Sequence, residues 1–143
     1  MPSLSRSRAD EMYARDLTCQ TLGIEIVDVE PQRVTLRMRV ADWMVNQHGI
    51  AHGGCLFTLA DAAFAYACNS QTSALAQQAQ IHFLGPVEPG DELTAEAVQR
   101  SRSGRVGIYD VTVRTAGTVV AEFRGQSVQV TTSRADNGGS HVR

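Results

Sequence analysis

One acidic side chain stands where physical chemistry least favours it. From residue 53 to residue 70, Asp61 is the only Asp, Glu, Lys, Arg or His. Its neighbours are Leu59, Ala60, Ala62, Ala63 and Phe64. A carboxylate in apolar surroundings must be paired, protonated or facing a cavity, because bare charge is costly to remove from water. Two structural readings are open: a buried acid satisfied by core hydrogen bonds, and a residue on an exposed stripe with Thr58. The chemical reading is a general base or a nucleophile, since misplaced charge in a core usually marks a functional site.

Gly53 and Gly54 open the same run. Two glycines admit a ligand close to the backbone, and the first amides of a helix have no intrahelical acceptor. They carry partial positive charge, so a carbonyl oxygen becoming an oxyanion is stabilised there, by about 3–4 kcal/mol for one good donor. By themselves the two glycines read equally as a tight turn. Eight residues separate Gly53 from Asp61, which is about 12 Å along one helix. An Asp side chain does not bridge that gap to a carbonyl held at Gly53. Two helices running antiparallel across a two-fold axis bring the groups together, with two equivalent sites per dimer. Chemistry that uses both groups therefore requires an oligomer.

The elements around this run follow from its flanks. Residues 55–68 are rich in Ala and Leu without Pro or Gly, which favours a helix; being apolar nearly all round, that helix is buried. Upstream, residues 7–17 carry Met12, Tyr13 and Leu17 near helical spacing and predict a short helix. Ile24, Ile26 and Val29, then Val34, Leu36, Met38 and Val40, alternate as two strands about Pro31-Gln32, a hairpin; Trp43 and Met44 fall in a connecting loop. Downstream, Ala79, Ile81 and Phe83 begin the return to strand. Strands follow from Leu93, from Val106 and from Val119, joined by short turns as an antiparallel meander. One buried helix among about six strands is an α+β pattern. A curved antiparallel sheet wrapped around one central helix, the hotdog fold, buries every face of it. Residues 1–132 form a single domain in this reading, and residues 133–143, with Asn137-Gly138-Gly139-Ser140, form a disordered tail.

The chain has 143 residues, 43% hydrophobic, with a net charge of −2. Such a balance gives no pull toward nucleic acid or anionic membrane. There is no apolar leader and no run of the roughly 20 residues that span a bilayer. Cys19, Cys55 and Cys68 are an odd, unpatterned set, as expected of reduced thiols in a cytoplasmic protein. Cys55 lacks the nearby base that a nucleophile needs. His48 and His52 are four apart, but Gly49 makes the segment loop-like and no acid lies between them, so no metal is expected; nor is any cofactor.

The stretch Asn46-Gln47-His48-Gly49-Ile50-Ala51-His52-Gly53-Gly54, followed by residues 59–70, resembles the PaaI thioesterases of phenylacetate degradation. Ile81-His82-Phe83-Leu84, Gly107-Ile108-Tyr109-Asp110 and Phe123-Arg124-Gly125 are similar to that family too, and the likeness runs from about Met12 to about Val130. The resemblance implies an acyl-CoA thioesterase acting on phenylacetyl-CoA and its ring-hydroxylated forms. It implies Asp61 as the catalytic acid, acting as base or nucleophile, and Gly53 as backbone donor to the thioester oxygen. Asn46 would place substrate or water, and His52 would brace the loop. A homotetramer of two dimers is also implied. The segment Gln47-His48-Gly49-Ile50 departs from other members, which bears on the acyl pocket. Gly54 adjoins the oxyanion donor, and Arg102, Arg105 and Arg124 are candidates for the phosphates of coenzyme A, since Arg forks onto phosphate; Arg100 lies in the same turn region. A hotdog hydratase or dehydratase, using His48 or His52, and a non-catalytic acyl-CoA binder are the alternatives.

Overall fold

In the computed structural model, residues 2–130 are described. The tail expected over residues 133–143 lies outside the described residues. Two short helices come first, α1 (Leu4–Arg15) and α2 (Leu17–Leu22), then the hairpin β1 (Glu25–Glu30) and β2 (Arg33–Arg39). A single 3-10 turn, Asp42–Met44, leads to α3 (Gly53–Cys68), and β3 (Ala74–Phe83), β4 (Glu92–Ser103), β5 (Val106–Thr115) and β6 (Thr118–Gln129) complete the chain.

All six strands form one antiparallel sheet in the order β1-β2-β4-β5-β6-β3. The crossover through α3 sends β3 to the far edge beyond β6. Helix α3 packs on β2, β3, β4, β5 and β6, so the sheet wraps it as the hotdog arrangement requires. The inward row of the register runs Leu36–Ala95, Ala97–Val111, Val111–Phe123 and Val113–Ala121. Ala95 and Ala97 on β4 meet a helix whose buried face includes Ala60, Ala63 and Ala67. Small residues on both sides let helix and sheet approach closely, and Leu59, Phe64 and Tyr66 fill the remaining space.

The N-terminal region differs from the single helix expected over residues 7–17. Asp16 leaves helical geometry (φ −96°, ψ 79°) and caps α2, accepting from the Cys19 amide at 3.0 Å; α2 then ends on Gly23 at φ +74°. An Asp cap and a left-handed Gly with six residues between them were the available signal. The Asp16 carboxylate also accepts from the Tyr66 hydroxyl at 3.1 Å, and Arg8 donates to the Asn69 carbonyl at 2.9 Å. These bonds fasten the N-terminal helices to the far end of α3. No helix among the described residues is long and apolar enough to cross a membrane.

Gly125 is required by packing. A Cβ there would lie 2.8 Å from three atoms of the Phe64 ring. Phe64 is fully enclosed and makes edge contacts with Tyr109 and Phe123, so the ring has nowhere to move. Gly125→Val is expected to destabilise the fold by about 1–3 kcal/mol through overpacking, read as a lower midpoint in urea denaturation. An unchanged midpoint would mean that the core yields.

Candidate active site

The start of α3 is held from both sides. The Ala51 amide donates to the Val87 carbonyl, and the His52 amide to the Met44 carbonyl, each at 2.6 Å. His52 stays extended (φ −64°, ψ 133°), and its Nδ1 accepts from the Gly54 amide at 3.4 Å, a long capping bond. His52 thus caps the helix, a local bracing role. Before it, Val45 and Ala51 pair as a bridge that closes a small loop. Inside that loop the Asn46 amide donates to the Ile50 carbonyl at 2.9 Å, and Asn46 Oδ1 accepts from the His48 amide at 2.8 Å. Asn46 Nδ2 has no partner among the described residues, so it remains a donor for something else.

With the Gly54 amide engaged by His52, the Gly53 amide is left with no acceptor among the described residues. Bound to nothing, at the positive end of a 16-residue helix, it is placed to receive an oxygen. A Cβ at Gly53 would lie 3.0 Å from the tip of the Phe83 ring. Phe83, 53% exposed at the end of β3, therefore stands against the helix start. In the sequence it stands out as one member of a strand alternation and as part of the Ile81-His82-Phe83-Leu84 stretch that resembles the family, with no site role attached. The available signal was Phe83-Leu84, two large apolar residues in succession where the strand is about to end.

Two turns farther on, Asp61 sits on the one stripe of α3 that the sheet leaves open. Gly54, Thr58, Asp61 and Ala65, at positions i, i+4, i+7 and i+11, are exposed or half-buried, while Leu56, Leu59, Ala60, Ala63, Phe64 and Ala67 are buried. The reading of Asp61 beside Thr58 on a stripe is therefore correct for the single chain, and the expectation of burial all round holds for the other faces only. Thr58 Oγ turns back to the Gly54 carbonyl at 2.9 Å. The Asp61 carboxylate has no hydrogen bond or ion pair among the described residues, and partial burial alone raises its pKa above the ordinary 3.8. Burial also pushes up the Cys55 thiol from its ordinary 9.0, which keeps it protonated at neutral pH and unsuited to attack.

The three arginines differ in what already holds them. Arg102 reaches the Gln99 side chain at 3.1 Å and the Tyr109 hydroxyl at 3.5 Å, bracing the β4–β5 hairpin. Arg124 forks onto Asp110 at 2.6 and 2.8 Å, and Arg100 binds the same carboxylate. These bonds hold the Asp110 pKa below its ordinary value. Arg105, exposed in the β4–β5 turn, makes no side-chain bond among the described residues. No group of three or more His, Cys, Asp and Glu among them is arranged to hold a metal ion.

A profile of the Thioesterase superfamily matches residues 48–122, just over half the chain, from the loop ahead of α3 to β6. The acyl-coenzyme A thioesterase PaaI of Escherichia coli K12 is 43% identical over 124 residues, covering 85% of this chain and 89% of that one. The solved structure of the E. coli PaaI protein superposes with a TM-score of 0.87 at 40% identity, covering 90% of this chain and 94% of that one. The TT0310 protein of Thermus thermophilus superposes at 0.79 with 33% identity, covering 80% and 98%. The profile match over residues 48–122 and the 43% identity to the E. coli thioesterase, on a sheet wrapped around one helix, make the chain a member of the thioesterase superfamily.

Proposed function

We propose that the protein hydrolyses acyl-coenzyme A thioesters to the free acid and CoA, with phenylacetyl-CoA and its ring-hydroxylated forms as substrates. The observation that carries this reading is an unpaired carboxylate, Asp61, on the same helix as an unsatisfied donor, the Gly53 amide. The E. coli relative is named an acyl-coenzyme A thioesterase, which supports the same substrate class.

The thioester oxygen accepts from the Gly53 amide of one protomer. The partner's Asp61 takes a proton from water as the water oxygen bonds to the carbonyl carbon. The resulting oxyanion rests on the amide. Collapse then breaks the carbon–sulfur bond, and the proton passes to the departing sulfur. Partial burial makes this carboxylate more basic, which serves general-base activation of water and direct attack alike. Asn46 Nδ2 is the donor suited to hold the water or the acyl carbonyl, and His52 positions the helix start. Among the arginines, Arg105 offers CoA a phosphate contact without surrendering an existing partner, whereas Arg102 and Arg124 contribute only by exchanging theirs.

The sharing of sites rests on two uncovered surfaces. One is the α3 stripe that carries Asp61. The other is β3, an edge strand of 10 residues with only Ala74 buried and no Asp, Glu, Lys, Arg or Pro. Such an edge is a template for pairing with another chain. Pairing β3 with its two-fold copy sets two α3 helices antiparallel, and two such dimers form the tetramer. A cytoplasmic location suits the three free cysteines.

Asp61→Asn is expected to lower kcat by about 10²–10⁴-fold while assembly, followed by sedimentation, is retained; near-normal turnover rules the assignment out. The same variant tests the desolvation of the acid. The folded protein keeps the Asp61 proton to a higher pH than the unfolded chain does, so this group's contribution to stability falls as pH rises above 3.8. Asp61→Asn should therefore melt above the wild type in calorimetry at pH 7, with the gap closing as pH drops below 3.8. Co-refolding Asp61→Asn with Gly53→Val, each inactive by itself, should restore about a quarter of wild-type activity, since half the dimers are mixed and each has one intact site. No recovery would exclude a shared site.

A further inference from the structure

We propose that Phe83 sets the acyl selectivity of this site by giving a flat aryl-acyl group a stacking surface beside the oxyanion donor. The inference rests on the reading of Gly53 as that donor. The Phe83 ring tip lies 3.0 Å from where a Gly53 Cβ would be, hence within about 4.5 Å of the Gly53 Cα. A carbonyl oxygen accepting from the Gly53 amide lies about 2.9 Å from its nitrogen, which puts the carbonyl carbon within about 6 Å of the same Cα. The ring and the reacting carbon are thus both close to one backbone atom, and in the proposed pose the acyl substituents on that carbon extend toward the ring.

Phe83 is free to act there. At 53% exposure it is only partly used by the fold, and the aromatic contacts of this core join Phe57, Phe64, Tyr109 and Phe123 without it. It belongs to the end of the edge strand that pairs with its copy in the proposed dimer, so its exposure, like the 59% of the next residue, Leu84, is that of the single chain. A Cβ at position 53 would press on the tip of the Phe83 ring, which would have to give way slightly.

An aromatic pair contributes beyond the area it buries, whereas an alkyl chain gains only from contact area. Replacing the ring with an alkyl group of similar bulk therefore removes preference without emptying the site. The test measures kcat/KM for phenylacetyl-CoA and hexanoyl-CoA in the wild type, Phe83→Leu and Phe83→Tyr. Phe83→Leu is expected to lower the aryl-to-alkyl ratio about five- to tenfold, mainly through a higher KM for phenylacetyl-CoA. The hexanoyl-CoA value should stay within about twofold, and Phe83→Tyr should keep the wild-type ratio. An unchanged ratio in Phe83→Leu, whether from no loss or from equal loss on both esters, overturns the role; equal loss would assign the ring to the arm shared by every CoA ester. A wild-type protein that cleaves neither ester refutes the thioesterase reading itself, and this inference with it. Circular dichroism of both variants separates misfolding from altered selectivity.

Discussion

A charge that the fold does not neutralise governs this molecule. Helix α3 is enclosed by the sheet on most of its circumference, and the core it forms with β2, β4, β5 and β6 is apolar. Asp61 escapes full burial only because one stripe of the helix faces away from the sheet. With no ion pair or hydrogen bond among the described residues to hold it ionised, the carboxylate is left more basic by desolvation. A fold selected for stability alone would place Ala or Leu there, as it does at the neighbouring positions.

The opposite end of the stripe has the complementary property. His52 uses its ring to satisfy Gly54, the cap that most helices take from Ser or Asp. The effect is selective: one amide is occupied and its predecessor, on Gly53, is left without an acceptor among the described residues. The hydrogen bonds of residues 44, 51, 52 and 87 hold this junction from outside the helix. Free donor and free carboxylate are thus both unsatisfied, on one face and about 12 Å apart along the helix axis. Neither completes the other within a chain. In the single chain this face and the β3 edge are both left uncovered, and the proposed dimer would cover both at once.

Much of the fold was legible because its signals are local. The β1–β2 hairpin around Pro31-Gln32, the long meander of β4, β5 and β6, and the Ala-rich helix follow from alternation, turn residues and propensity, and all are present. The break at Asp16 was not read, because its cap competes with an apolar spacing that continues through Leu17; the hydrogen bond from Tyr66, fifty residues away, adds a tertiary reason for the break. The burial of α3 was overestimated, because composition reports how apolar a helix is and not which of its faces the sheet reaches. The arginines were grouped by sequence proximity to a turn, whereas cross-strand partners settle their state: Asp110 captures Arg124 and Arg100, and Tyr109 with Gln99 engages Arg102.

By itself the sequence determined that a lone acid follows a pair of glycines by eight residues in a helix, and that one chain therefore cannot bring both groups to a single carbonyl. That conclusion needs only the rise of an α-helix, which is the same wherever the helix sits. Only the tertiary structure decided which amide is free, which stripe is open, and that Phe83 of β3 stands against Gly53 of α3. Those facts depend on contacts between segments far apart in the chain, and no local spacing encodes them.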